Sequence, residues 1–167
     1  AEEPAQDADF GVRFGLLARQ KISVMMQRGM IQATRDIDPP QLQPASLDLR
    51  LGPKAYRVRA SFLPGEGRTV MERIEALKSE EISLENGAVL ERGCVYVVPL
   101  LEHLDLPNSI SAVANPKSST GRLDIFTRLI TDRSEIFDHV ASGYRGPLYA
   151  EVSPCSFSVR VREGSKI

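Results

Sequence analysis

The sequence predicts a mainly β domain, a sandwich or barrel of short strands. Two observations carry this. Short runs alternate apolar and polar residues with period two, as in Leu47, Leu49 and Leu51 against Ser46, Asp48 and Arg50, and again along Phe157-Ser158-Val159-Arg160-Val161-Arg162. Glycine and proline turn signals recur between such runs at regular intervals, the spacing expected of an all-β architecture.

The elements follow in order. Ala1 to Asp9 is acidic and lacks the basic-then-apolar order of a signal peptide, so residues 1–15 read as a flexible lead-in to a domain over 16–167. Leu17, Lys21, Val24 and Gln27 are spaced like a helix, predicted over Leu16 to Arg28 with Gly29 as its C-cap. Arg35 to Ala45, broken by Pro39-Pro40 and Pro44, is a loop. Ser46 to Leu51 is a half-buried strand, turned by Gly52-Pro53 into a hairpin partner over Ala55 to Arg59. A short helix is expected over Met71 to Lys78, then strands on either side of Glu85-Asn86-Gly87. Further strands are expected over Cys94 to Leu100, Ile110 to Ala114, Ile125 to Ile130, Leu148 to Val152 and Phe157 to Arg162. The last residues, Glu163 to Ile167, look like a turn opening another strand, so the domain is expected to be truncated at its C-terminal end.

At 167 residues the chain suits one domain with a sizeable core. A net charge of −1, with both signs interspersed, argues against a general nucleic-acid surface. No apolar run approaches a membrane span. The two cysteines do not make a disulfide framework: Cys94 reads as a small buried hydrophobe, Cys155 sits at a turn, and a cytoplasmic location is the default. Zinc nucleobase deaminases carry H-x-E…P-C-x-x-C. Here His103 precedes Leu104-Asp105, His139 precedes Val140-Ala141, and Pro154-Cys155 has no cysteine three residues on, so no zinc site is expected. His139 is a possible border of the pocket, and P-loop and dinucleotide glycine patterns are absent.

Two segments carry chemistry. Lys117-Ser118-Ser119-Thr120-Gly121-Arg122 packs two cations and several hydroxyls beside a glycine, a composition that suits a triphosphate. Gly143-Tyr144-Arg145-Gly146-Pro147-Leu148-Tyr149-Ala150-Glu151 is a glycine-punctuated turn running into a strand, where Tyr149 and Glu151 share a face. A carboxylate there, near a cationic serine-rich loop, suits activation of a water in a nucleotide pocket. On composition alone the first segment reads sooner as an ordinary polar turn, and Glu151 as an exposed strand residue.

These two blocks, in this order and with Ser46-Leu47-Asp48-Leu49-Arg50-Leu51-Gly52 upstream, resemble the deoxycytidine triphosphate (dCTP) deaminases, a branch of the trimeric deoxyuridine triphosphatase (dUTPase) superfamily. The resemblance covers Leu16 to Ile167. It implies a dUTPase-like β-barrel or jelly-roll sandwich with a short N-terminal helix. It implies hydrolytic deamination of dCTP to dUTP and ammonia, with Glu151 as general base and acid, Ser118 holding the attacking water and Arg122 orienting the site. Lys117 and Ser119 would contact phosphates, within a nucleotide site of Lys117 to Arg122 (Thr120 and Gly121 included), Ala141, Tyr149, Ala150 and Glu151. It further implies a homotrimer with sites between subunits, no protein-bound cofactor, and magnesium carried by the substrate triphosphate.

Two departures stand out. The stretch between Arg122 and Tyr144 is several residues longer than in short deaminases, and Ala141 stands where the superfamily usually carries an aspartate. Asp138 and Ser142 are the nearby polar substitutes. The alternatives are a dUTP diphosphohydrolase or a bifunctional deaminase-diphosphatase, because Tyr144-Arg145-Gly146 looks like the triphosphatase turn. From another class, a non-catalytic nucleotide-binding or assembly domain also fits.

Overall fold

The structure, a computed structural model, describes residues 15–167. All of the expected lead-in except Gly15 therefore lies outside the described residues. The described residues form three α-helices, one short 3-10 helix (Pro39–Gln41) and ten strands. The α-helices and strands are α1 (Arg19–Gln27), β1 (Ile31–Ala33), β2 (Lys54–Val58), α2 (Val70–Leu77), β3 (Lys78–Ser83), β4 (Ala88–Leu90) and β5 (Val95–Asp105), then β6 (Ala112–Val113), α3 (Ser118–Arg122), β7 (Ile125–Thr131), β8 (His139–Val140), β9 (Arg145–Pro154) and β10 (Val159–Val161). No helix among the described residues is long and apolar enough to cross a membrane.

The main sheet runs β3-β2-β5-β9-β7, antiparallel throughout, with β1 on the far half of β5. Two small sheets, β10-β4 and β6-β8, complete the mainly β, dUTPase-like fold. Period two along β9 divides the molecule. Leu148, Ala150 and Val152 face a large core with Tyr96, Val98, Leu129 and α1 residues Ile22 and Met25. Tyr149 faces a second core with Tyr56, Val58, Val97 and Ile130, closed by Val70 and Ile74 of α2. Both faces of β9 are thus covered, so any polar residue on it has to find a partner inside.

The helices form where expected, with shifted ends. The first starts three residues later, at Arg19, and Gly29 follows its cap with φ +72°, the left-handed turn that glycine adopts without cost. At α2 the Thr69 hydroxyl accepts from the Glu72 N–H while the Glu72 carboxylate accepts from the Thr69 N–H, a complete capping box. Thr69→Ala should lower the melting temperature by roughly 2–4 °C, read by thermal denaturation.

The expected hairpin between Ser46–Leu51 and Ala55–Arg59 is not formed. Leu47, Arg50 and Leu51 make only isolated bridges, to Leu42, Lys166 and Leu100, and β2 pairs instead with β3 and β5. The reason lies in the polar positions of the stretch. Arg50 is 5% exposed and turns inward to Glu102, whose carboxylate also takes the Arg50 N–H at 2.8 Å, and Leu51 N–H goes to Ser165. Its donors go to the Glu102 carboxylate and to the carbonyls of Gln41 and Ser165, not to a ladder with β2. Gly52 then passes so close to β5 that a Cβ would sit 2.5 Å from the Pro99 carbonyl, which its N–H meets at 2.9 Å.

Other differences concern pairing. The strands flanking Glu85–Gly87 belong to different sheets, with β3 on β2 and β4 on β10. The strand expected to end at Leu100 continues to Asp105. His103 therefore sits within the sheet, between Gln32 and Pro147, and not at an edge. Cys94 is half-buried and accepts the Arg57 guanidinium at 2.9 Å, so it is not the simple apolar filler expected.

Candidate active site

Glu151 is 2% exposed although it is an acid on a central strand. It lies on the α2 face of the sheet, directly opposite Val97 on β5 and Arg128 on β7. That register makes Arg128 and Glu151 a cross-strand pair. Arg128 donates Nη2 to Glu151 Oε1 at 2.8 Å and Nε to the same oxygen at 3.2 Å. Ser61, on the segment between β2 and α2, donates its hydroxyl to Oε2 at 2.5 Å and accepts Arg128 Nη2 at 2.8 Å. Arg128 is held in turn by two rings, its guanidinium carbon lying 3.7 Å from the Phe137 centroid and 4.9 Å from that of Phe126.

On its open side Arg128 lines a cleft of 380 Å³, with Phe126, Asp138, Pro116 and Gly121 among the other walls. The Lys117–Arg122 block therefore borders the cleft through Gly121, with Pro116 just before the block beside it. It is not the loop expected but a single helical turn, α3, begun by Lys117 whose carbonyl accepts the N–H groups of Thr120 and Gly121. Thr120 is buried, whereas Ser118, Ser119, Gly121 and Arg122 are exposed. Lys117 forms an ion pair with Asp48, so the upstream Ser46–Gly52 block and the cationic block meet in space.

Tyr149 and Ala150 pack in the two cores, and Ala141 is exposed at the turn, its carbonyl accepting the Tyr144 N–H at 3.1 Å. Asp138 lines the cleft with φ +59°, its Oδ1 accepting the Leu129 N–H at 2.7 Å. Ser142 and His139 are exposed, and His139 lies on β8 opposite Val113. Among the described residues, no group of three or more His, Cys, Asp or Glu is placed to hold a metal ion.

Sequence reasoning missed Ser61, Arg128 and the two phenylalanines. An arginine inside the apolar run Ile125–Ile130 was a signal, since such residues are seldom placed in covered strands without a partner. Ser61 gave none.

The turn before β9 is built around Tyr144. Its hydroxyl donates to the Pro147 carbonyl at 2.6 Å and accepts the Asp132 N–H at 3.2 Å. Burial pushes its phenol up to about 12, and burial raises Tyr149 as well. A phenol raised in the folded state stabilises the fold below the unfolded value of about 10 and loses that contribution as pH climbs through the folded one. Melting temperatures measured from pH 9 to 12 should fall progressively above pH 10, and Tyr144→Phe should flatten that fall.

Fold and cleft define a dUTPase-like β domain with a buried acid behind a cleft that the cationic block borders. Residues 13–167 match the family described as 2'-deoxycytidine 5'-triphosphate deaminase (DCD) N-terminal domain, and the chain belongs to that family. The crystal structure of 2'-deoxycytidine 5'-triphosphate deaminase from Agrobacterium tumefaciens is similar, with 55% identity and a TM-score of 0.89 over 91% of this chain and 45% of that one. The chain thus spans less than half the length of that relative. Among curated proteins, none matches.

Proposed function

We propose that the protein deaminates dCTP hydrolytically to dUTP and ammonia, with Glu151 as the proton-transferring group. The observation that carries this is a carboxylate 2% exposed on a central strand, immediately behind the cleft that the Lys117–Arg122 block borders. Family membership and the Agrobacterium tumefaciens relative support the substrate. In this reading water adds to C4 of the cytosine ring while Glu151 takes its proton. Glu151 gives that proton to N3, takes the second one from the new hydroxyl and passes it to the departing amine as the C4–N bond breaks, leaving a carbonyl at C4.

Ser118 and Arg122 hold the attacking water and the developing charge, and Lys117 with Ser119 to Gly121 meets the triphosphate. Ser118 and Arg122 are exposed, and Glu151 is engaged by Ser61 and Arg128 of its own chain. That exposure leaves the cleft open for a neighbouring copy to complete, as a homotrimer with sites between subunits would. In this reading magnesium enters bound to the triphosphate. The product suits a cytoplasmic supply of deoxyuridine nucleotides for dTTP synthesis.

Ammonia and pyrophosphate release, measured side by side from dCTP with magnesium in the full-length protein, tests this. Ammonia alone is the expected result. Both products would mean a bifunctional enzyme, and binding without turnover would mean a nucleotide-binding domain.

A further inference from the structure

We propose that Arg128 and Ser61 are positioning residues that choose which oxygen of Glu151 accepts the proton. This rests on the reading of Glu151 as the general base. An ionised carboxylate offers about four acceptor sites, two on each oxygen. Arg128 fills both on Oε1, with Nε at 3.2 Å and Nη2 at 2.8 Å. Ser61 takes one on Oε2 at 2.5 Å. The remaining acceptor site is on Oε2, and that is where a reacting water must deliver its proton.

The arrangement is rigid for stated reasons. Arg128 is packed on Phe137 and close to Phe126, is 27% exposed along its side chain, and is tied to Ser61 by a second bond from Nη2 at 2.8 Å. Ser61, Arg128 and Glu151 therefore close a three-membered ring of hydrogen bonds. Turning the carboxylate by half a rotation would return the same contacts, but tilting it would break at least one. Arg128 also lines the cleft, so the group that fixes Oε1 forms part of the wall the substrate meets. Neither residue takes up or gives the proton itself; both act by holding the Glu151 carboxylate.

The test compares full-length wild type with Glu151→Gln, Ser61→Ala, Ser61→Thr, Arg128→Lys and Arg128→Gln. It follows ammonia release over a range of dCTP concentrations and the melting temperature of each variant. Arg128→Gln should lower kcat about 10²-fold and Ser61→Ala about tenfold, with KM nearly unchanged, since misplacement of a catalytic group costs rate rather than binding. Ser61→Thr keeps the hydroxyl and should restore the rate. Arg128→Lys keeps the charge but offers no fork, and should fall between wild type and Arg128→Gln. Ser61 is exposed, so its alanine variant should melt with the wild type. Wild-type kcat in both Ser61→Ala and Arg128→Gln, or losses confined to KM, would overturn the proposal while leaving Glu151 as the base. Full activity in Glu151→Gln, or none in the wild type, would overturn the parent reading and this one with it.

Discussion

Glu151→Gln should reduce ammonia release from dCTP by about 10³-fold, within the range that general acid–base catalysis contributes. The substitution is nearly isosteric and removes only the capacity to take a proton. Ser61 can still donate to the amide oxygen at 151, so the side chain keeps its place. Arg128 loses its anionic partner, but it retains Ser61 and the rings of Phe126 and Phe137, and it remains in part exposed to water. The fold should therefore survive with a melting temperature only a few degrees lower, and dCTP should bind within a few fold of wild type by calorimetry. Ammonia release within threefold of wild type would place the base elsewhere. Loss of binding together with rate would mean that the acid builds the pocket and does not run the reaction.

The strand alternation that identified the fold was local information, and it held along β9 and β10 but not over Ser46–Leu51, which makes only isolated bridges. Tyr149 and Glu151 do share a face, the Phe157–Arg162 stretch does contain a strand, and both long helices occur near their predicted places. Pairing was not legible. Whether β9 is an edge or a central strand depends on β5 and β7, about 50 and 20 residues away in sequence, and that alone decides whether Glu151 is solvated or buried. The same non-locality hid Arg128 as its partner. The Ser46–Leu51 stretch shows the opposite failure. Its period was read correctly, but its polar side was assigned to solvent, whereas Asp48 pairs with Lys117 and Arg50 turns inward to Glu102. Alternation reports two faces, and a charged face is solvent-facing only when no buried counter-charge awaits it.

That buried pair carries the largest stability effect expected. Glu102 is fully buried on β5, its Oε1 accepting Arg50 Nε at 2.8 Å and Gln41 Nε2 at 2.7 Å, its Oε2 accepting the Arg50 backbone N–H at 2.8 Å. The other guanidinium nitrogens of Arg50 reach the carbonyls of Asp36 at 2.9 Å and Arg35 at 3.0 Å, so one side chain ties the loop before β2 to the centre of the sheet. Arg50→Ala removes the cation and strands the carboxylate in the core, which costs about 3–5 kcal/mol, a large part of the roughly 5–15 kcal/mol that holds a domain together. The melting temperature should drop by roughly 10 °C or more. Replacing Gln41, Arg50 and Glu102 together with leucine, methionine and leucine should cost less than the single change, because no charge is then left without its partner. If the triple variant were the less stable, the ties to residues 35 and 36, rather than the burial of an unpaired acid, would be what the network contributes.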